Sequence, residues 1–305
     1  MHTLVLLNAH AGGGRTRAMQ AALQAQLNTY AQPPLLFMTE DTHTAKKLTD
    51  ALPAASRVIV AGGDGSVHAL LPSLLAGGHT LGLLPMGSGN DTARALGVHG
   101  MSWRAALDHA LHGKCSMMDV GEISYVRSSD GSLQRSLFIS SIAAGFDAAV
   151  TQRALKAPGW LSGMPRYLWA TLRELAALRD FAVELHADGQ CLHKGKVLLA
   201  STLNMSSYGG GMPIAPGARI DSGQLNLLLA HSMSLARVAV LLPRMLLGQH
   251  LGQREVRQHQ FSELKMQSAT GLPLAADGEY LGEVSTATLQ VRPSELSVVR
   301  YGVPH

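Results

Sequence analysis

Cysteine is scarce in this chain. Among its 305 residues only Cys115 and Cys191 are cysteines, and neither lies in a CxxC motif or beside histidines at the spacing of a zinc ligand set. A disulfide framework and a structural zinc site are therefore not expected. This cysteine usage fits a reducing compartment, and we expect a cytoplasmic protein.

Charge and long apolar runs are also limited. Charged residues make up 15% of the chain and hydrophobic residues 46%, which excludes a disordered charged tail and a coiled coil. The formal net charge of +4 comes from scattered bases, so no nucleic-acid surface is expected. The most apolar stretch, 235–251, contains Arg237, Pro243 and Arg244 and falls short of the roughly 20 residues of a membrane span. The N-terminal apolar run is too short for a signal peptide. We expect a soluble or peripheral protein.

Short apolar runs alternate with helical patterns over the first 120 residues, which predicts parallel strands joined by crossover helices. The predicted strands are 4–7, 35–38, 57–60 and 81–84, and the predicted helices are 16–27, 42–52, 66–75, 91–96 and 102–111. From about Met117 the pattern becomes one of strands, with hairpin signals at Asp130-Gly131 and Asp188-Gly189. We therefore expect a domain boundary near residue 122.

Two helical segments, 165–179 and 235–251, interrupt this strand-rich half. Each has a broad apolar face, which either packs on the sheet or contacts lipid. Trp160, in the sequence Pro-Gly-Trp-Leu, is either a packing residue or a residue that dips into a membrane.

Three glycine-rich loops each follow a predicted strand and precede a helix. The first reads NAHAGGGRT from Asn8 to Thr16, and it lacks both the Gly-Lys-Ser/Thr of a Walker A loop and the GxGxxG spacing. Backbone N–H groups at such a turn, together with the helix N-terminus, favour an anion, although a glycine turn is often only structural. The sequence therefore contains one candidate phosphate loop.

The second loop, Gly62-Gly63-Asp64-Gly65-Ser66, places an acid between glycines. Asp64 would be repelled by phosphate unless Mg²⁺ lies between them, so a metal-nucleotide role is one interpretation. The other is a plain turn, because Asp-Gly also occurs at Asp130, Asp188 and Asp277.

The third loop reads PMGSGNDTAR from Pro85 to Arg94, and Asn90 or Asp91 is expected to cap the helix that follows. Open α/β sheets bind ligands at the carboxyl ends of their strands. Three such loops in succession predict a phosphate-rich ligand lying across one edge of the sheet.

The motifs NAHAGGGRT, GGDGS and PMGSGNDTARALG, in this order, resemble those of the diacylglycerol kinase and sphingosine kinase group, and in particular its bacterial lipid kinases. Arg219 to Leu225 resembles the family's DDGxL stretch, and Ala276-Asp277-Gly278-Glu279 its DGE motif. The resemblance therefore covers nearly the whole chain.

The resemblance implies an α/β nucleotide-binding domain over 1–122 and a β-sandwich domain with helical insertions over 123–294. It also implies a C-terminal segment, 295–305, that returns to the first domain, and an active site in the cleft between the domains. It assigns ATP binding to Asn8, Ala9, Ala11, Gly12, Thr39, Gly62, Gly63, Asp64, Gly65, Ser66, Val67, His68, Ser88 and Asn90. The resemblance also implies that Glu279 takes the proton from the lipid hydroxyl. Asp277 is expected close by, where it would orient Glu279 or contact the metal.

Three positions depart from the family pattern in the nucleotide loops. Ala9 replaces the usual proline, whereas Ser66 and Ser88 replace threonine and keep the hydroxyl. In addition, Ser222 stands where the family often has an aspartate that binds a structural Mg²⁺. Hard cations favour charged oxygen ligands, so a second metal site at Asp221 and Ser222 is an open question.

The expected activity is transfer of the γ-phosphoryl group of ATP, with Mg²⁺, to a hydroxyl of diacylglycerol, phosphatidylglycerol or a long-chain base. Arg15 and Arg94 either clamp phosphate oxygens or are simply solvated. Peripheral contact with the inner face of a membrane and a homodimer fit this expectation. The alternatives are a kinase of the NAD kinase type with a soluble substrate, and a regulator that binds nucleotide or lipid without catalysis.

Overall fold

The computed structural model describes residues 2–161 and 163–302. The chain divides into two compact units. The first contains the residues up to Met118 and those from Ser294 onward, and the second runs from Asp119 to Pro293.

The first unit is a parallel sheet with helices between its strands. Its elements are β1 (Thr3–Asn8), α1 (Arg15–Leu27), β2 (Leu35–Thr39), α2 (Thr42–Asp50), β3 (Arg57–Gly62), α3 (Asp64–Ala76), β4 (Thr80–Pro85), α4 (Asp91–Ala95) and α5 (Trp103–His112). The strand order is β2-β1-β3-β4, with every pair parallel. All nine elements were predicted, with bounds within two residues of those observed.

Strand β3 is rich in apolar residues because it lies in the middle of the sheet. A central parallel strand is covered on both faces, and all six residues of β3 are buried. Leu23 of α1 and Leu107 of α5 pack with Leu7 and Ile59 in one core cluster. The core therefore holds the strands in place, and their carboxyl ends share one edge of the sheet.

The second unit is built from antiparallel strands. Its elements are β5 (Cys115–Arg127), β6 (Leu133–Phe138), β7 (Ser141–Ala144), α6 (Phe146–Leu155), α7 (Gly163–Ala176), β8 (Phe181–Ala187), β9 (Gln190–Leu203), β10 (Leu225–His231), α8 (Leu235–Leu246), β11 (Val256–Phe261), β12 (Glu263–Ala276) and β13 (Glu279–Val299). β5 begins, and β13 ends, in the first unit, where Ser297 and Val298 pair in parallel with β4.

Short strand β7 lies between the longer strands β9 and β12 and pairs antiparallel with both. The predicted hairpins form at Asp130-Gly131, between β5 and β6, and at Asp188-Gly189, between β8 and β9. Phe138, Phe261 and Leu264 are fully buried in the core that the strands of this unit enclose.

Helix α6 was not predicted, whereas α7 and α8 were. Half of the ten residues of α6 are buried, so the segment lacks the polar stripe from which a helical period is read. Helix α8 ends at Leu246, before Gly248, which has a φ of +70°. The predicted extension to residue 251 was therefore too long, because a left-handed glycine ends a helix.

Candidate functional site

Two of the three glycine loops lie in backbone contact in the first unit. The N–H of Met86 donates to the carbonyl oxygen of Gly62 (2.9 Å). A Cβ atom on Gly63 would stand 2.8 Å from the Cα of Gly87, which is closer than real Cβ contacts. Glycine is therefore required here by the approach of two backbones.

The first loop is joined to the same group. The side-chain amide of Asn8 donates to the Ser66 hydroxyl (2.8 Å), which links the end of β1 to the start of α3. A Cβ atom on Gly12 would lie 2.8 Å from the carbonyl oxygen of Met86. The ends of β1, β3 and β4 thus form one connected rim, as the sequence predicted.

Asp64 connects the second loop to the third. Its two carboxylate oxygens accept hydrogen bonds from the backbone N–H groups of Asp91 (3.1 Å) and Thr92 (2.8 Å). A carboxylate at these N–H groups caps helix α4 and complements its dipole. Asp64 therefore has a structural role in the rim, and its predicted contact with a nucleotide-bound metal stays a prediction.

Of the two residues expected to cap α4, Asn90 and Asp91, the Asn90 side chain does not do so. Asn90 lies at the cap position with a φ of +56°, but its side chain makes no cap hydrogen bond. The Asn90 amide instead accepts from the Gly87 N–H (2.9 Å) and donates to the Gly87 carbonyl (2.7 Å). Asn90 closes its own loop because the cap is supplied by Asp64, which is distant in sequence.

The two loop arginines also contact their own loops. Arg15 Nε donates to the carbonyl oxygen of Gly12 (2.9 Å). Arg94 donates to the carbonyl of Gly89, and its guanidinium lies 3.7 Å from the Asp91 carboxylate. Both guanidinium groups therefore brace the loop backbone, and phosphate binding by either is a prediction.

A cavity of about 200 Å³ adjoins the rim. It lies at the carboxyl ends of β1 and β2, against α2 and α3. Three predicted ATP-binding residues, Asn8, Thr39 and Ser66, line it together with Leu6, His10, Glu40, Asp41, Thr42, Ala45, Val60, Ala69 and Leu70. Residues from separate strand ends thus meet around one cavity.

The wall of the cavity formed by Glu40 and Asp41 is acidic. Glu40 pairs with Arg17 (2.7 Å) and lies 3.2 Å from His10. The backbone N–H and hydroxyl of Thr44 hold the pKa of Asp41 below its usual range, so this group is ionised at neutral pH. The glycine loops, by contrast, offer backbone N–H groups and helix N-termini, which carry partial positive charge.

The other predicted residues of this site differ in exposure. Val67 is fully buried in the core, so its side chain is unavailable to a ligand. Ser88 and Gly65 are exposed, and His68 is half-buried. The buried Thr39 accepts a hydrogen bond at its carbonyl oxygen from the N–H of Ala9 (3.0 Å). Proline at position 9 would lack this N–H, so Ala9 gives the loop a contact with β2.

In the second unit the Asp277-Gly278 turn joins β12 to β13. Asp277 and Gly278 have φ values of +46° and +88°, and Ala276 pairs with Glu279, as in a two-residue hairpin. Glu279 is exposed at the first position of β13. The hairpin therefore fixes the backbone position of this exposed carboxylate, and its role as proton acceptor stays a prediction.

The carboxylate of Asp277 is bound by a neighbouring segment. It accepts hydrogen bonds from the backbone N–H groups of Ile139 (2.8 Å), Ser140 (2.8 Å) and Ser141 (2.9 Å). Charge-assisted bonds of this kind are the strong ones in proteins. Asp277 therefore anchors the hairpin to the start of β7, and through it the position of Glu279.

The side chains at the predicted second metal site make hydrogen bonds within the chain. Asp221 accepts from Arg219 Nε (3.1 Å), and the Ser222 hydroxyl bonds to the carbonyls of Arg219 and Gln224. The nearby Asp119, which sequence reasoning missed, is buried and accepts from the Gly223 N–H (2.6 Å). Within residues 2–161 and 163–302, no group of three His, Cys, Asp or Glu side chains is placed to hold a metal. Asp119 and Asp221 are carboxylates, which are ligands that Mg²⁺ favours, so the second metal site stays a prediction.

Sequence reasoning also missed Asp147, near the start of α6. Its carboxylate accepts hydrogen bonds from the hydroxyls of Ser201 and Tyr208 and from the Ala148 N–H. Burial raises the pKa of this carboxyl to about 6, although the hydroxyls act to lower it. No motif marks Asp147, because both hydroxyls come from segments more than fifty residues away.

Two family models match the chain. The diacylglycerol kinase catalytic domain matches residues 2–123, and the YegS C-terminal NAD kinase beta sandwich-like domain matches residues 140–300. Together with the observed strands, these matches confirm the predicted fold class of an α/β domain followed by a β-sandwich domain.

Named relatives and solved structures agree with these matches. A diacylglycerol kinase of Mycobacterium tuberculosis (strain CDC 1551 / Oshkosh) is 32% identical, over 85% of this chain and 82% of that protein. A diacylglycerol kinase of Bacillus subtilis (strain 168) is 28% identical, over 79% of this chain and 76% of that protein. The crystal structure of a diacylglycerol kinase from Bacillus anthracis str. Sterne has a TM-score of 0.69 at 17% identity, covering 99% of this chain and 97% of that one. The crystal structure of yeast NADH kinase complexed with NADH has a TM-score of 0.55 at 8% identity, covering 98% of this chain and 82% of that one. At these low identities the two structures show the fold alone. The chain therefore belongs to the diacylglycerol kinase family and is a lipid kinase.

Proposed function

We propose that this lipid kinase transfers the γ-phosphoryl group of ATP to a hydroxyl of a membrane lipid, with diacylglycerol as the first candidate acceptor. The observation that carries the proposal is the connected rim of three glycine loops beside a cavity lined by Asn8, Thr39 and Ser66. The names of the relatives support diacylglycerol ahead of phosphatidylglycerol and long-chain bases.

The difference in charge between the cavity and the glycine loops supports one orientation of ATP. A cavity of about 200 Å³ is smaller than the roughly 300–1,000 Å³ of pockets that enclose a whole ligand, so it suits one part of the nucleotide. The ionised Asp41 disfavours phosphate there and favours the amino group of a base, whereas the charge of Glu40 is offset by Arg17. The phosphates would then lie along the glycine loops, near Gly12, Gly63 and Ser88.

Proton removal from the lipid hydroxyl is the role that we propose for Glu279. A hydroxyl is a poor nucleophile at neutral pH, and a positioned carboxylate that accepts its proton lowers the barrier to phosphoryl transfer. Asp277 would act indirectly, because its carboxylate is already bound by three backbone N–H groups and holds the hairpin in place.

Magnesium is proposed as the cofactor carried on the ATP phosphates, where it would neutralise oxygen charge. The chain supplies no preformed cage for it among the described residues, and both oxygens of Asp64 accept from backbone N–H groups. We therefore assign no step to a metal held by the protein.

A membrane surface is the proposed source of the acceptor. Among the described residues, eleven of the sixteen exposed large hydrophobic side chains lie between Leu155 and Leu172 or between Leu235 and Leu251, on and beside α7 and α8. Trp160 is 81% exposed, and α7 carries two arginines, which would favour an anionic surface. Over the described part of the chain, no helix has both the length and the hydropathy to span a membrane.

Helix α7 also borders the hairpin that carries Glu279. The hydroxyl of Tyr167 lies 3.9 Å from the place where a Cβ atom on Gly278 would stand. Met164, Leu168 and Leu172, on the same helix, are 60%, 58% and 59% exposed. A lipid surface that contacts this face would bring its head groups close to Glu279.

The test is phosphoryl transfer from γ-labelled ATP to vesicles that contain diacylglycerol, phosphatidylglycerol or a long-chain base. We expect a labelled lipid product from at least one of these acceptors, and weaker vesicle binding by Leu168→Ser and Leu172→Ser. Leu133→Ser is the matched control, since Leu133 is equally exposed, at 62%, but lies on β6.

Two results would contradict the proposal. Labelled product from NAD but from no lipid would favour a soluble-substrate kinase. Saturable ATP binding with no product on any lipid would favour a regulator that binds nucleotide without catalysis.

A further inference from the structure

Two carboxylates bracket strand β7. Asp277 accepts hydrogen bonds from the N–H groups at its start, and Asp147 follows its end by three residues. Strand β7 pairs with β12 directly before the hairpin, with Ile142 opposite Ala276. Asp147 therefore lies next in the chain to the strand that pairs beside the Asp277–Glu279 hairpin.

The partners of Asp147 are of two chemical kinds. Its Oδ1 accepts from the Ala148 N–H (3.0 Å), a donor that cannot reverse its role. Its Oδ2 accepts from the Tyr208 hydroxyl (3.0 Å) and from the Ser201 hydroxyl, and each hydroxyl can also accept a hydrogen bond. The site can thus hold the Asp147 carboxyl group in either protonation state, but the hydrogen bonds to the two hydroxyls differ between the states.

Tyr208 opens a glycine loop, which we define as residues 208–212. Its two ends are closed by a pair of hydrogen bonds between the backbones of Tyr208 and Met212 (3.2 and 3.1 Å). The three glycines between them have φ values of +65°, +92° and +99°. The loop base is fastened nearby, because the Asn204 N–H donates to the Ser140 carbonyl (2.8 Å). Ser140 is one of the residues that bind Asp277.

These contacts connect the glycine loop with the hairpin at one end of the sheet. We propose that Asp147 is a positioning residue for phosphoryl transfer: its ionised carboxylate holds Tyr208, and with it the glycine loop, beside the Asp277–Glu279 hairpin. Uptake of a proton by Asp147 loosens this loop and slows transfer to the lipid. The inference rests on the proposed function, since it assigns a role within the same reaction.

The chemistry of the site explains how a proton would act. Added to Oδ2, it turns an acceptor into a donor, so one of the two hydroxyl bonds must reverse or break. Added to Oδ1, it opposes the fixed N–H of Ala148. Because burial raises the pKa of Asp147 to about 6, this change falls just below neutral pH.

Few charged groups face Asp147 from the elements packed against α6. Strand β7 carries none, and the charged residues of β9 and β12 lie at the ends away from Ser201 and Pro273. Glu174 of α7 is already paired with Arg153 of α6 (2.6 Å). The titratable residues of α6 and α7, besides Asp147 itself, are Arg153, Arg166, Tyr167, Arg173 and Glu174. Burial and the two hydroxyls therefore dominate the titration of Asp147.

The test compares the wild type, Asp147→Asn and Tyr208→Phe in transfer from ATP to diacylglycerol vesicles between pH 5 and 8. Asp130→Asn is the matched control, since it removes the same charge at an exposed turn of the same unit and is expected to behave like the wild type. We expect kcat of Asp147→Asn to be about tenfold lower than that of the wild type at pH 7.5, with the KM for ATP unchanged.

The pH profile separates positioning from a merely structural role. The ratio of wild-type to Asp147→Asn activity is expected to fall toward one as the pH drops from 7.5 to 5, because the wild type becomes protonated and the variant does not. Titration of ATP affects both proteins equally and cancels in this ratio. Tyr208→Phe is expected to lower kcat at pH 7.5 without unfolding the protein. A ratio that stays constant across this range would overturn the proposal.

A second measurement needs no activity. Amide hydrogen exchange of residues 209–212, corrected for its intrinsic pH dependence, is expected to show protection in the wild type at pH 7.5 that is lost at pH 5. Asp147→Asn is expected to show weak protection at both values. Equal protection in the two proteins at both values would overturn the role of Asp147, whereas failure to phosphorylate any lipid would overturn only the proposed function.

Discussion

Asp64 in the first unit and Asp277 in the second are each followed by glycine, and each carboxylate is bound by backbone N–H groups of a segment distant in sequence. Asp64 receives two N–H groups from the start of α4, and Asp277 receives three from residues 139–141. Both acids that the motifs mark for chemistry thus hold a loop in place.

Asp147 behaves differently from both. Its carboxylate accepts hydrogen bonds from the hydroxyls of Ser201 and Tyr208, and burial raises its pKa to about 6. A hydroxyl can donate or accept a hydrogen bond, whereas the backbone N–H groups that bind Asp64 and Asp277 can only donate. The comparison teaches that the acidic residues of two glycine motifs serve as anchors, whereas the carboxyl group with the raised pKa lies outside any motif.

The largest expected effect concerns Glu279, whose carboxylate is exposed and whose proposed role is to accept a proton. Glu279→Gln is expected to lower kcat about 10²- to 10⁴-fold, the usual contribution of a general base, with the fold and nucleotide binding unchanged. Steady-state kinetics and ATP titration measure this. Glu283→Gln, an exposed position on the same strand, is the control. Full activity of Glu279→Gln would remove the assignment.

The next effect concerns the anchor in the second unit. Asp277→Asn keeps a residue that tolerates positive φ but turns an amide N–H₂ toward backbone donors, so we expect a loss of about 2–4 kcal/mol in the free energy of unfolding. Chemical denaturation measures this. Asp130→Asn is the matched control, because Asp130 also precedes a hairpin glycine but is exposed and accepts hydrogen bonds from Ser132, two residues away. Equal losses in both variants would contradict the anchoring role.

A smaller effect is expected at the anchor in the first unit, where two N–H groups are bound instead of three. Asp64→Asn is expected to lower the free energy of unfolding by about 1–3 kcal/mol and to weaken ATP binding, since the second and third loops separate. Denaturation and calorimetric titration measure the two effects. An unchanged stability with lost ATP affinity would instead favour direct contact of Asp64 with the nucleotide or its metal.

The smallest effect distinguishes Asp147 from both anchors. Because its pKa is raised in the folded state, the folded protein binds a proton more tightly than the unfolded chain between about pH 4 and 6. Its ionised form therefore costs stability above pH 6, and this cost disappears as the pH falls toward 4. Asp147→Asn is expected to be about 1–2 kcal/mol more stable than the wild type at pH 7.5, with the difference shrinking at lower pH. A constant difference in Tm across this range would contradict the raised pKa.

Much of the first unit was predictable because β1, β3 and β4 are buried apolar runs and its helices follow with clear turns. Residues 57–60 and 81–84 were recognised as strands from their apolar runs alone. One wrong expectation was the capping of α4 by the Asn90 side chain. The backbone N–H of Asp91 is instead bound by Asp64, twenty-seven residues upstream. Helix α6 and Asp147 escaped prediction because neither has a periodic or motif signal in the sequence.

Local pattern by itself determined the strand-turn-helix units, the three glycine loops and the hairpin turns, because hydrophobic period and glycine placement act over a few residues. Only the tertiary structure decided which carboxylates are anchored by backbone N–H groups and which one is buried against two hydroxyls. The reason is physical: the hydrogen-bond donors that reach Asp64, Asp277 and Asp147 come from segments distant in the chain.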